Sequence, residues 1–325
     1  MLHFIDQIAL DDWTFTVLEH DAGGVSLMPL YSEPGARFRR SALANYYASL
    51  YSPIISSAQN RRGAIAELVR ELGSVRPRCA AVNLAPLDRE AADTAMLADA
   101  FSTQGWLVKK YFCFGNWYLP CAGLSFADYM DGRPSRLRNT WQRKSRRFLE
   151  GHGARLEIVC DPAAVETAMD AFDRVYAKSW KQPEPYPRFV RRWAEICARK
   201  GWLRLGVAWI DDVPIAAQIW FTLNRRANIF KLAYDEAYSS LSAGTVLTAH
   251  MIRESLERDG VTEIDYLTGD DDYKRSWMTH RRERIGLLAS NMRTPRGLAM
   301  GLVEWAGDVR RRLIQRRRNG VTVNG

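Results

Sequence analysis

The stretch from Trp202 to Leu267 constrains the fold more than any other part of the chain. Three apolar runs, Trp202–Ile210, Ile215–Leu223 and Ala227–Tyr234, are rich in the branched and aromatic residues that strands favour. Asp211-Asp212 ahead of Pro214 separates the first two, and Asn224–Arg226 the next pair. Both are turn sequences, so the runs predict an antiparallel meander. A helix from Gly244 to Arg258 follows, with Ser242 placed to cap it. Val246, Ala249, Ile252 and Leu256 form one apolar face, while Leu247 and Met251 lie near the other. A helix apolar on two sides packs between layers. Asp259-Gly260 ends it, and Val261–Leu267 predicts the next strand. The fold class is α/β, with a mixed sheet of the α+β kind.

The N-terminal third alternates in the same way. Trp13–Glu19 and Val25–Leu30 read as strands around the turn Asp21–Gly24, and Ile65–Leu72 as a helix. Cys79–Leu84 is a strand, Ala91–Gln104 a helix closed by Gly105, and Trp106–Phe114 and Trp117–Leu119 are aromatic-rich strands. Gly132-Arg133-Pro134-Ser135 marks a boundary. Ser135 is placed to cap a basic helix running to Leu149, stopped by Gly151-His152-Gly153. Leu156–Val159 then predicts a strand, and Pro162–Trp180 and Arg188–Arg199 predict helices. The expected division is 1–132 as a first lobe, 133–293 as a second, and 294–325 as a basic helix or tail.

At 325 residues, 47% hydrophobic and 26% charged, the chain can bury a large core. No apolar run nears the ~18 residues that span a bilayer. Met1 to Asp12 lacks the basic start of a signal peptide. Cysteines 79, 113, 121, 160 and 197 are odd in number and form no CxxC pair, as suits reduced thiols in a cytoplasmic protein. The net charge of +9 is concentrated in two patches. Residues 133–147 hold seven basic side chains and residues 310–318 six arginines, which leaves the remainder at −4. Such patches attract CoA, a carrier protein, tRNA or an anionic membrane, and they also suit a solvated helix face and a disordered tail.

Two segments carry chemistry. Ser239-Ser240-Leu241-Ser242-Ala243-Gly244-Thr245 opens the helix at 244. A helix start offers free N–H groups and a positive dipole end to an anion. Small residues let a pyrophosphate approach, although the same sequence is an ordinary cap. The second segment, Asp265 to Trp277, starts at a strand end, where α/β sheets place ligands. It places Asp270, Asp271, Asp272 and Lys274 within seven residues, a pattern that also suits an exposed acidic turn. HExxH, paired CxxC, GxSxG, Walker and GxGxxG patterns are all missing, so neither metal nor nucleotide-hydrolysing chemistry is expected.

Taken in order, Lys178-Ser179-Trp180-Lys181, Pro214-Ile215-Ala216-Ala217-Gln218, Lys231-Leu232-Ala233-Tyr234-Asp235, Ser242-Ala243-Gly244 and Gly269-Asp270…Tyr273-Lys274-Arg275-Ser276-Trp277 resemble one branch of the GNAT acyltransferases. That branch holds acetyltransferase-like proteins of cellulose and exopolysaccharide gene clusters, with the Fem-type aminoacyltransferases of peptidoglycan synthesis as relatives. The resemblance implies tandem GNAT-like lobes, the second better preserved. It places Ser242, Ala243, Gly244, Thr245 and Val246 on the donor pyrophosphate, and a backbone N–H around Leu232–Tyr234 on the oxyanion. Asp270, then Asp265, would be the base, Tyr273 an acid toward the leaving group, and Lys274 an acceptor-site cation. Trp180, Gln218, Lys231 and Trp277 would meet the acceptor. His250 and His280 are expected on a helix face or the surface.

The implied activity is transfer of an acyl group from acyl-CoA or acyl-carrier protein, a co-substrate rather than a resident cofactor. The acceptor would be an amine or hydroxyl on a small molecule or saccharide, in polysaccharide or cell-envelope biosynthesis. A Fem-like enzyme using aminoacyl-tRNA is the alternative, with helix 133–147 on the tRNA or carrier. A non-catalytic module that binds protein or anionic lipid is the third reading. The expected location is cytoplasmic, with peripheral contact at the inner membrane surface through 310–318.

Overall fold

A computed structural model of the chain describes residues 13–19, 25–32, 35–56, 60–151, 153–304 and 306–307. The basic run 310–318 and the turn Asp21–Gly24 lie outside the described residues. In chain order the elements are β1 (Trp13–Glu19), β2 (Val25–Tyr31), β3 (Arg39–Ala42), β4 (Ile54–Ile55), α1 (Arg61–Ser74), β5 (Ala81–Asp88), α2 (Ala92–Thr103) and β6 (Trp106–Pro120). Next come α3 (Phe126–Asp131), α4 (Ser135–Leu149), β7 (Ala154–Val159), α5 (Val165–Ala177) and α6 (Pro187–Arg199). The meander β8 (Leu203–Ile210), β9 (Val213–Leu223) and β10 (Arg226–Tyr234) precedes α7 (Ala243–Glu257), β11 (Glu263–Asp265), α8 (Asp272–Trp277) and β12 (His280–Asn291).

Contacts divide the chain into two compact units, Met1–Phe114 with Glu283–Gly325, and Gly115–Arg282. The division differs from the boundary expected at Gly132. Gly132–Pro134 links α3 to α4 inside the second unit, where Gly132 N–H donates to the Asp128 carbonyl and Arg133 donates to the carbonyl of Trp277. Strands β6 and β12 contribute residues to both units.

The first unit has strand order β1-β2-β3-β5-β12-β6, with β4 on β2. Its own core includes Ile65, Leu68 and Leu72 of α1, Leu97 and Phe101 of α2, and Val82 and Leu84 of β5. Residues 295–304 are helical and group with this unit by their contacts. A Cβ on Gly297 would stand 2.1 Å from the Asn291 carbonyl oxygen, so only glycine allows this close approach.

The second unit has strand order β6-β11-β10-β9-β8-β7. The turns of the meander are tight, with Ile210 paired to Val213 and Leu223 to Arg226. Asn224 and Arg225 both adopt positive φ (50° and 58°), which matches the twist of the flanking strands. Helix α7 buries Val246, Leu247, Ala249, Met251, Ile252 and Leu256, as a helix apolar on two sides must.

Several local expectations need correction. Ser135 does not cap α4, because Pro134 holds the cap position and Ser135 is the first helical residue. The expected helix 162–180 is a short 3-10 turn, Pro162–Ala164, followed by α5. The two aromatic strands at 106–119 form the single strand β6. The strand expected over Val261–Leu267 shrinks to Glu263–Asp265, since Leu267 turns the chain with φ 55°. Among the described residues, no helix is long and apolar enough to cross a membrane.

Candidate active site

The second unit contains a cavity of ≈ 350 Å³ lined by Trp180, Gln218, Leu232, Ala233, Tyr234, Ser239, Ser242, Ala243, Gly244, Thr245, Thr248, Tyr266, Tyr273 and Trp277. It follows from how β10 is paired. On the β9 side β10 pairs along its length, with a bulge between Ile229 and Lys231. On the β11 side it pairs in parallel only over Arg226–Asn228. Beyond Asn228 the strands part, and the open edge of Leu232–Tyr234 faces the cavity. Alternate amides of an antiparallel strand point away from its partner, so this edge presents backbone donors.

The start of α7 forms a second wall. Ser242 lies there in the left-handed region (φ 55°) and makes no side-chain cap, contrary to the sequence expectation. Its carbonyl accepts from the amides of Thr245 and Val246, at 2.9 and 3.1 Å. The amides of Ala243 and Gly244 have no backbone acceptor among the described residues, which is the usual condition of a helix start. A 3-10 turn, Glu236–Leu241, leads into this site, anchored by Asp235 accepting from Ala237 N–H at 3.0 Å. Lys178 at the end of α5 pairs with the same Asp235 at 3.5 Å. Val246 is buried in the core and does not line the cavity.

Aromatic rings complete the enclosure. Trp180 and Tyr234 lie 4.6 Å apart by ring centroids, and Tyr266 meets Tyr273 edge-on at 5.9 Å. Burial drives the Tyr266 phenol well above its ordinary pKa. Desolvation and then the Asp271 carboxylate raise that of Tyr273, which stays a proton donor at neutral pH. Gln218 reaches the cavity wall, but its amide donates to Thr248 Oγ1 at 2.7 Å and accepts from Trp220 at 2.8 Å. These contacts make it a brace between β9 and α7.

The acidic segment is organised by partners distant in sequence. Asp265 is buried and does not line the cavity. One of its oxygens accepts from Asn116 Nδ2 and from Leu267 N–H, both at 2.6 Å. The other accepts from Arg282, which also holds Glu263 at 2.8 Å and stacks on Tyr118 at 4.1 Å. Asp270 accepts a fork from Arg281 and a bond from Trp117 Nε1 at 2.8 Å. The Arg281 hydrogen bonds hold its carboxyl below the usual range, and Trp117 adds to the effect. Lys274, also buried, donates to the Thr268 carbonyl at 2.7 Å and pairs with Asp271 at 2.9 Å. Lys231 pairs with Glu184. Asp265, Asp270, Lys274 and Lys231 therefore flank the cavity residues in sequence without forming its wall.

Gly269 has φ 105°, and a Cβ there would stand 2.9 Å from Lys274 Nζ. Gly269→Ala is expected to cost about 1–3 kcal/mol through backbone strain and to displace Lys274, as measured by denaturant unfolding.

Asn116, Arg281, Arg282 and Tyr266 were not singled out on sequence. The one signal for Asn116 is a Gly-Asn pair inside an aromatic strand, and the arginines sit in a charged run that reads as surface. His250 is half-buried on α7, where desolvation lowers its pKa. Among the described residues, no group of His, Cys, Asp and Glu side chains could hold a metal ion.

Residues 135–275 match the model of the acetyltransferase (GNAT) domain. No curated protein matches the chain. Among solved structures, FemX is similar with a TM-score of 0.61 at 11% identity, covering 86% of this chain and 88% of that one. The C-terminal domain of a putative lysylphosphatidylglycerol synthetase from Agrobacterium fabrum has a TM-score of 0.53 at 13% identity, covering 89% and 87%. L-PGS from Bacillus licheniformis has a TM-score of 0.53 at 12% identity, covering 90% and 88%. At such identities the likeness is one of fold alone, and its coverage exceeds the matched segment. Residues 135–275 are thus similar to an acetyltransferase (GNAT) domain, and the chain shares its fold with FemX.

Proposed function

We propose that the chain is a GNAT-type acyltransferase that moves an acyl group from acyl-CoA to an amine or hydroxyl acceptor. The observation that carries this reading is the cavity between the α7 start and the open edge of β10. Its donor set fits a pyrophosphate, since Ala243 and Gly244 offer backbone amides and Ser239, Ser242 and Thr245 add hydroxyls. The acceptor's nucleophilic atom attacks the thioester carbonyl carbon, and the resulting oxyanion meets an amide on the Leu232–Tyr234 edge. The C–S bond then breaks. Tyr273 gives its proton to the departing thiolate and regains one as the nucleophile is deprotonated.

Asp270 and Asp265 are assigned to holding the loop rather than to proton transfer, because arginines occupy their oxygens. Lys274 is likewise assigned to fixing the 268–274 turn that presents Tyr273. Trp180 and Trp277 line the cavity, and they are assigned to the acceptor.

Calorimetry with acetyl-CoA, and a thiol-release assay over a panel of amines and saccharides, test the reading. Saturable donor binding is expected, and a chain that binds no acyl-CoA would overturn it. Tyr273→Phe is expected to lower kcat by about 10²–10⁴ with donor affinity unchanged. An unaltered kcat removes Tyr273 from the proton path.

One observation favours aminoacyl-tRNA as a second donor reading. Arg136, Arg143 and Arg147 of α4 are exposed and recur on one helical face. Lys144 of the same helix donates to the Ser240 carbonyl beside the cavity. Retention of charged tRNA that weakens steeply with salt, alongside no acyl-CoA binding, would select this reading.

A further inference from the structure

Three lysines adjoin cavity-lining residues in the chain, and one of them is unlike the other two. Lys231 precedes Leu232 and pairs with Glu184. Lys274 follows Tyr273 and pairs with Asp271. Lys181 follows Trp180 and is half-buried, with its ammonium 5.5 Å from the Trp180 ring and 6.0 Å from that of Tyr176. Among the described residues, no carboxylate pairs with it directly.

The groups whose charges reach Lys181 are Lys231, Lys274, Glu184 and Asp271. Lys231 is paired with Glu184 and Lys274 with Asp271, so each pair is formally neutral, while Lys181 has aromatic rings rather than a carboxylate as its direct neighbours. Burial first, then the charges of Lys231 and Lys274, push its pKa down to about 8, against the opposing pull of Glu184 and Asp271. A buried ammonium is ordinarily compensated by a paired anion. One left uncompensated beside a ligand cavity is a place for a ligand's charge.

We propose that Lys181 is the counter-ion for a single anionic group, a carboxylate or a phosphate monoester, carried by the acceptor substrate. The assignment to the acceptor rests on the acyl-transfer reading, in which the α7 start holds the donor. The pair Lys231–Glu184 then positions the recess without supplying net charge. Anion binding favours the protonated amine, so it takes up a proton near pH 8 and weakens as pH rises further.

The test uses the full chain labelled with ¹³C at lysine Cε, with inorganic phosphate and acetate as probes. The Lys181 signal is identified by its loss in Lys181→Arg, with Lys181→Gln as a second variant. Its titration midpoint is expected near 8 without anion. It should move up by about one pH unit or more when one probe saturates, and the more effective probe gives the anion class. A midpoint unmoved by both, or one that moves in step with the surface lysines, overturns the proposal. Acetyl-CoA calorimetry on the same sample separates the two readings. Donor binding with a fixed midpoint refutes the anion site alone. A moved midpoint with no acetyl-CoA binding refutes acyl-CoA as the donor and leaves Lys181 an anion site.

Discussion

Gly244→Asp is expected to abolish donor binding while leaving the second unit folded. Gly244 is the second residue of α7, where a carboxylate interacts favourably with the free amides and the positive end of the helix. An added Cβ would stand 3.4 Å from Tyr234 Cδ1, an ordinary contact. Helix and packing therefore tolerate the substitution, and stability should hold or rise slightly. The same carboxylate occupies the space where a pyrophosphate would dock. Two unit charges at ~4 Å repel by roughly 4 kcal/mol at the effective dielectric of a protein surface, equivalent to about a thousandfold in affinity. Calorimetry with acetyl-CoA reads the loss, and denaturant unfolding reads the intact fold. Undiminished affinity would place the donor elsewhere.

Asp265→Ala should have the largest effect on stability. It removes the acceptor for Asn116, for the Leu267 amide and for Arg282 in one step. Arg282 keeps hydrogen bonds to Glu263 and Asn116 Oδ1 and its stack on Tyr118. Breaking a buried ion pair from one side costs about 3–5 kcal/mol, and Leu267 also loses the bond that holds its left-handed backbone. Urea unfolding measures the loss. Asp265→Leu combined with Arg282→Met should recover part of it, because apolar replacement of both partners removes the stranded charge. If the double variant is no more stable than Asp265→Ala, the cost lies in the Leu267 turn rather than in the ion pair.

The contrast between these residues explains what the sequence could and could not convey. Strands β8 to β10 and helix α7 were legible because their signals are local, with apolar periodicity, two-residue turns and a helix buried on two faces. Residues Ser242 to Thr245 were legible as cavity wall for the same reason. Strand β12 was missed because His280-Arg281-Arg282-Glu283-Arg284 conceals any alternation until Ile285. The partners of Asp265 and Asp270 were hidden from the sequence because their arginines come from β12 and their amide and indole partners from β6. In sequence a carboxylate near a strand end reads as a base. Only long-range pairing shows that its lone pairs are already taken. Lys181 was visible only as part of a motif, since its lack of a carboxylate partner is a property of three dimensions.

The short parallel pairing of β10 with β11 has a consequence for exchange with solvent. Three residues join the strands there, and among the described residues β11 does not pair with Leu232–Tyr234, whose outward amides lie on the cavity side. In the free chain these amides should exchange with deuterium far faster than their alternating neighbours bonded to β9. One strand would thus show a two-residue rhythm of fast and slow exchange. A ligand that fills the gap would erase the rhythm by slowing the fast set, and the residue where the slowing stops would mark how deep it reaches.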